Sequence, residues 1–203
     1  VHWAIDHNIA LEDKVAIMGG SYGGYATLVG LTITPKVFAC GVDIVGPSNL
    51  VTLQKSIPAY WKPMFDMLKI RIGADYKTEE GRKFLESQSP LTFADKIERP
   101  LLIAHGANDP RVKQAEAEQI VDKMRAHHIP VTYVLYPDEG HGFARPENRL
   151  SFYAVTEAFL GKILGGRVEE VGTDFENSSI QIIQGHNFVE IFKEKISHAT
   201  RTG

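Results

Sequence analysis

A single cysteine, Cys40, stands among 203 residues, so no disulfide can close within the chain and no cluster of thiolates can hold a metal. Its apolar neighbours point to a buried, structural thiol. No apolar run approaches the roughly 20 residues that span a bilayer, and no signal peptide is visible. An excess of one charge is also lacking. The 22 basic and 25 acidic residues leave a net charge of −3, with no basic run to suggest nucleic acid or an anionic membrane. Neither internal repeats nor low-complexity tracts occur. The first residue is Val1 rather than methionine. The opening Val1-His2-Trp3-Ala4-Ile5-Asp6 reads like the middle of a helix, which suggests a sequence truncated at its N-terminus.

What remains is ordinary globular composition, 43% hydrophobic and 23% charged, of a length usual for one domain. Four short apolar runs stand out as buried strands: Val15 to Met18, Cys40 to Val45, Pro100 to His105 and Val131 to Tyr136. Helical patterns lie between and after them. Small and apolar residues run from Tyr25 to Leu31. Ala117, Ile120, Val121 and Met124 fall on one helical face. Leu150, Tyr153, Leu160 and Leu164 suit a last amphipathic helix with Pro146 in its first turn. The stretch from Ser48 to about Gly81 is rich in aromatics and methionine and reads as helical turns with loops. Strands alternating with helices predict an α/β fold of three layers, a mostly parallel sheet covered on both faces. Residues 1–166 read as this domain. Residues 167–203 read as a tail of uncertain structure, with apolar islands at Ile180 to Ile183 and near Phe188 to Phe192.

The strongest chemical signal is Gly19-Gly20-Ser21-Tyr22-Gly23, a G-x-S-x-G between a strand and a helix. A nucleophile on so tight a turn sits in a strained backbone conformation, and side chains at the flanking glycines are expected to clash. The helix that follows aims its free N–H groups toward developing negative charge. A serine hydroxyl is a weak nucleophile near neutrality and needs a base, which in turn needs an orienting acid. Asp109 follows the third strand and His141 the fourth, in the order Ser, Asp, His. All three then lie where loops leave the C-terminal edge of the sheet. Asp138 is a rival acid, but it belongs to the loop of the base itself. His105 at a strand end reads as structural, His127 and His128 as exposed. His2, His7, His186 and His198 carry no motif. No carboxylate or cysteine is spaced to complete a metal site with any of them, so neither a metal nor another cofactor is expected.

Three segments, Gly19 to Tyr25, Gly106 to Val112 and Glu139 to Phe143, together resemble the catalytic domain of the prolyl oligopeptidase family of serine peptidases. Arg145-Pro146-Glu147-Asn148-Arg149 has the same look, and the resemblance leans toward the acylaminoacyl-peptidase and dipeptidyl-peptidase-like branch. It runs over about residues 1–183; from about Gln184 the chain departs from the family pattern. The resemblance implies an α/β-hydrolase fold and a short-peptide substrate. It also implies a β-propeller and further hydrolase strands earlier in the same polypeptide, and it leaves room for a homo-oligomer and for a cytoplasmic or periplasmic setting. Ser21 would form the acyl-enzyme, His141 would act as base and then acid, and Asp109 would hold His141. The backbone N–H of Tyr22 would be one oxyanion donor. Leu50 and Val112 would fall near the pocket for the residue before the scissile bond, with Tyr60 and Trp61 beside it; plain core packing is the competing account of these four. The family's second oxyanion donor, a tyrosine hydroxyl from an upstream loop, has no counterpart in the sequence. Loss of one such donor costs on the order of 100- to 1,000-fold in turnover, so this chain alone is expected to be feeble or inactive. Two other functions fit the same motifs: a carboxylesterase or dienelactone-hydrolase-like enzyme, and a non-catalytic hydrolase-fold module used for binding.

Overall fold

A computed structural model describes residues 1–185. The island near Phe188 to Phe192, His186 and His198 lie outside the described residues.

The four apolar runs form parallel strands β1 (Ala16–Gly20), β2 (Cys40–Ile44), β3 (Leu101–Gly106) and β4 (Val131–Tyr136), neighbours in the order of the chain. All six residues of β3 and all six of β4 are buried. A strand covered on both faces needs apolar side chains at every position, which is why these segments read as runs rather than as alternation. Successive side chains still point to opposite faces. Leu101, Ile103, Val131 and Tyr133 face one layer with Leu28, Leu31, Ile120 and Met124. Leu102, Ala104, Val134 and Tyr136 face the other, with Phe152, Val155 and Phe159. The first layer holds helices α2 (Tyr22–Ile33) and α6 (Ala115–Ala126), and the second holds α7 (Pro146–Leu164). A short helix α1 (His2–Asp6) precedes β1. Between β2 and β3 run α3 (Leu50–Ser56), α4 (Lys62–Ile72) and α5 (Glu79–Ser87), with 3-10 turns at Ala59–Trp61 and Pro90–Lys96. Cys40 is fully buried, and loss of solvation pushes its thiol up to about 11.

Two sequence expectations change. The described part of the segment read as a tail, residues 167–185, continues the fold. Gln181–Gln184 forms β5, antiparallel to β4, so among the described residues the sheet has five strands rather than four. Phe175 and Ile180 ahead of it are 3% exposed and pack with Phe152, Val155 and Phe159. A four-residue edge strand with one face in water is too short and too mixed to announce itself by period. The second change is the phase of α7. Leu150 and Tyr153 are more than half exposed, while the buried face carries Asn148, Ser151, Phe152, Val155 and Phe159. Both faces of this helix are rich enough in apolar residues to look like the inner one, and contact with β2 and β3 decides between them.

Candidate active site

Ser21 sits between the end of β1 and the start of α2 at φ 57°, ψ −115°. Non-glycine residues adopt such angles only under constraint from their surroundings. The constraint is visible on both sides. The Ser21 N–H donates to the Ile44 carbonyl at the end of β2 (2.8 Å), and its own carbonyl accepts from Tyr25 N–H (3.0 Å). The clash expected at the flanking glycines occurs at only one of them. A methyl on Gly19 would stand 2.8 Å from the Gly23 Cα and nearer still to its carbonyl, whereas one on Gly23 would meet nothing within 4 Å. Gly19 lets the strand fold back on the helix; Gly23 is the surface it folds against.

The loops after β3 and β4 bring the other two residues to Ser21. His141 Nε2 lies 2.8 Å from Ser21 Oγ, and His141 Nδ1 lies 2.7 Å from Asp109 Oδ2. An ionised carboxylate only accepts, so Nδ1 carries the imidazole proton and Nε2 is left to accept from the hydroxyl. Asp109 Oδ1 takes the N–H groups of Arg111 (2.8 Å) and Val112 (2.9 Å). Burial works to raise the Asp109 carboxyl, but the hydrogen bonds from His141, Val112 and Arg111 prevail and hold it below the ordinary carboxylate range. The rival Asp138 turns elsewhere, to Arg145, Ser179 and Asn148. His105 is fully buried beneath the site, with Nε2 2.9 Å from the Val112 carbonyl. A carbonyl only accepts, so that nitrogen carries the proton, and desolvation lowers the pKa of the ring. His105 therefore supports the Asp109 loop as a neutral structural residue. His127 and His128 are exposed. Among the described residues no three His, Cys, Asp or Glu side chains cluster as a metal site, and no helix is long and apolar enough to cross a membrane.

Tyr22 opens α2, where the first-turn N–H groups have no partner within the helix. Its side chain is 75% exposed and leans toward Tyr25, with the ring centres 5.5 Å apart. Both line a largely apolar cavity of about 610 Å³, together with Leu50, Leu53, Met67 and Ile72. That size suits a small ligand group. Of the four residues expected at the substrate pocket, only Leu50 lines this cavity. Val112 is buried and serves Asp109 and His105 through its backbone. Tyr60 is largely exposed, and the Trp61 ring lies 5.7 Å from the Arg111 guanidinium. The cavity wall depends on a residue the sequence did not single out. Glu116 on α6, 2% exposed, accepts the N–H groups of Ser48 (3.0 Å) and Asn49 (2.9 Å) and the hydroxyl of Thr52. Desolvation raises its pKa in spite of these bonds. A charged residue in an amphipathic helix looks solvated in sequence, and only the fold shows that it pins the loop ahead of Leu50.

Comparison with known proteins gives one consistent result. The sequence profile described as "Prolyl oligopeptidase family" matches residues 1–167. Dipeptidyl aminopeptidase BIII of Pseudoxanthomonas mexicana is 59% identical over 201 residues, which cover 99% of this chain and 29% of that protein. Dipeptidyl peptidase family member 6 of Caenorhabditis elegans is 53% identical over 179 residues, 88% of this chain and 24% of that protein. A solved puromycin-hydrolyzing peptidase of Mycobacterium tuberculosis superposes with a TM-score of 0.74 at 28% identity, over 84% of this chain and 25% of that one. The chain thus spans less than a third of the relatives it matches. The likeness to the bacterial aminopeptidase takes in nearly every residue. It therefore passes Gln184, where the sequence was expected to leave the family pattern.

Proposed function

The chain belongs to the prolyl oligopeptidase family, and from that premise we propose that it carries the catalytic triad of a serine peptidase that cuts short peptides, as part of a longer polypeptide. The observation that supports this most is the unbroken line of hydrogen bonds from Ser21 Oγ through His141 to Asp109 Oδ2. In the reaction, His141 Nε2 takes the hydroxyl proton as Ser21 Oγ bonds to the peptide carbonyl carbon. The oxygen of that carbonyl becomes negative and receives the Tyr22 N–H at the positive end of α2. The C–N bond then breaks, and His141 returns the proton to the leaving amine. Water repeats the sequence on the acyl-enzyme: His141 removes its proton, the hydroxide displaces Ser21, and the serine recovers its hydrogen. Asp109 stays ionised throughout and steadies the imidazolium. The cavity bounded by Tyr22, Tyr25 and Leu50 receives an apolar side chain of the substrate. Two relatives are named as dipeptidyl peptidases, so release of dipeptides from a free N-terminus is the reading of substrate class.

The test is labelling with a fluorophosphonate, read by intact mass, on this chain and on its Ser21→Ala and His141→Ala variants, with circular dichroism to establish folding. One adduct on the unmodified chain and none on either folded variant is the expected result. An adduct that survives Ser21→Ala would sink the assignment. Dipeptidyl anilides, N-acyl amino-acid anilides and short acyl esters, compared on the full-length polypeptide, then separate peptidase from esterase. Preference for esters alone would overturn the peptidase reading.

A further inference from the structure

Glu139 and Asn148 lie outside the line of reacting groups, yet both are buried, at 3% and 0% exposure. Their side-chain hydrogen bonds tie the loop that carries His141 to the segment before β5. One Glu139 carboxylate oxygen accepts from Ala144 N–H (2.8 Å), and the other from Arg145 N–H (2.9 Å). The carboxylate thus closes the loop from behind, as a cap closes the start of a helix. The Glu139 backbone carbonyl accepts from Asn108 N–H (2.9 Å), one residue before Asp109. The two loops meet closely there: a methyl on Gly106 would lie 2.6 Å from that same carbonyl. Glu139 is therefore one of the ties between the His141 and Asp109 loops, beside the bond from the Asn108 side chain to the Pro137 carbonyl (2.7 Å).

Glu139 is itself held by Asn148. The Asn148 amide donates to Glu139 Oε1 (2.8 Å) and to Asp138 Oδ1 (3.0 Å). On its other side, Asn148 Oδ1 accepts from Ser179 N–H (2.9 Å) and Ser178 hydroxyl (3.1 Å). Arg145 adds a second tie by donating to the Asn177 carbonyl (2.9 Å) and pairing with Asp138. These partners belong to the segment before β5, beyond the residues that the family profile matches. A buried amide with both ends engaged can be moved only at the cost of several unsatisfied groups, so it is a rigid link.

We infer that Asn148 is a positioning residue for His141, acting through Glu139, and that the Asn177–Ser179 segment anchors it. The inference rests on His141 being the base. The reaction tolerates little error there: a base displaced by about 1 Å can lose on the order of 100-fold in rate. Residues 177–179 thus help to position the base although they touch none of the reacting groups.

The test uses Asn148→Leu, which keeps the branched shape and removes every hydrogen bond of the side-chain amide, in the full chain. Inactivation by a fluorophosphonate is measured over a range of reagent concentrations, so that the maximal rate and the half-saturating concentration are separated. Folding is followed by circular dichroism and urea titration. The expected result is a maximal rate lower by roughly 10- to 100-fold at an unchanged half-saturating concentration. The proton shared by His141 and Asp109 should also move or broaden in the low-field proton NMR spectrum, a readout that general loss of stability would leave alone in the folded fraction. Should Asn148→Leu fail to fold, Glu139→Gln carries the same test, since it swaps one acceptor for a donor that faces N–H groups. An unchanged rate and an unchanged resonance in a folded variant overturn the inference while leaving the triad intact. Labelling that persists in Ser21→Ala overturns both.

Discussion

Asp43 offers the sharpest test of how the nucleophile turn is held. It lies on β2 opposite Gly19, is fully buried, and faces Gly24 and Gly46 so closely that neither could carry a side chain. One carboxyl oxygen accepts from Gly46 N–H (3.0 Å); the other has no hydrogen-bond partner. The bond closes a turn in which Val45 takes φ 49°, unusual for a β-branched residue, and which directs the Ile44 carbonyl at Ser21 N–H. Desolvation raises this carboxyl from 3.8 to about 7, with the Gly46 bond opposing it. Below pH 4 the group is protonated in both the folded and the unfolded chain. Between about 4 and 7 the unfolded chain releases its proton and the folded chain keeps it, so stability falls as pH rises. Above 7 both forms are ionised and the loss is complete. At about 1.4 kcal/mol for each pH unit, the loss totals about 4 kcal/mol. Asp43→Asn cannot ionise. It keeps the acceptor for Gly46 and puts an unpaired amide where the unpaired oxygen was, a cost of about 1–3 kcal/mol that does not vary with pH. Urea unfolding of both proteins from pH 4 to pH 8 reads the difference. The variant is expected to be the less stable at pH 4 and to gain on the unmodified chain by about 4 kcal/mol by pH 8. A difference that stays constant over that range would refute the reasoning.

Three further expectations concern other parts of the fold. Asp109→Asn offers His141 Nδ1 a donor in place of an acceptor and drives the proton to Nε2; fluorophosphonate labelling should slow about 10⁴-fold, and an unchanged rate would remove Asp109 from the triad. Gly19→Ala should destabilise by about 1–3 kcal/mol or more by urea titration, because its methyl meets the Gly23 backbone, while Gly23→Ala has free space. Equal effects at the two glycines would contradict this account. Ile180→Ala, in the segment before β5, should cost about 2–5 kcal/mol, and no measurable loss would mean that the segment is not part of the core.

The order of Ser21, Asp109 and His141, each just past a buried strand, is legible in the sequence because the chemistry and the strands are both local. Parallel strands covered on both faces must be mostly apolar, so β2 to β4 appear as short runs. The glycine before the nucleophile also shows, since no larger residue could occupy Gly19. Other features depend on partners far along the chain. Which face of α7 is buried is decided by Phe152, Val155 and Phe159 meeting β2 and β3. The strand at Gln181–Gln184 exists because the edge of β4 is there to pair with it. Glu116 and Asn148 reach partners 68 and 31 residues away. In the sequence they are a charge and an amide on helices, and burial beside N–H groups from elsewhere makes them supports of the site. Local pattern therefore determined the reacting residues and the strands that carry them. Burial and long-range hydrogen bonding, which exist only once the layers have packed, decided what holds those residues in place.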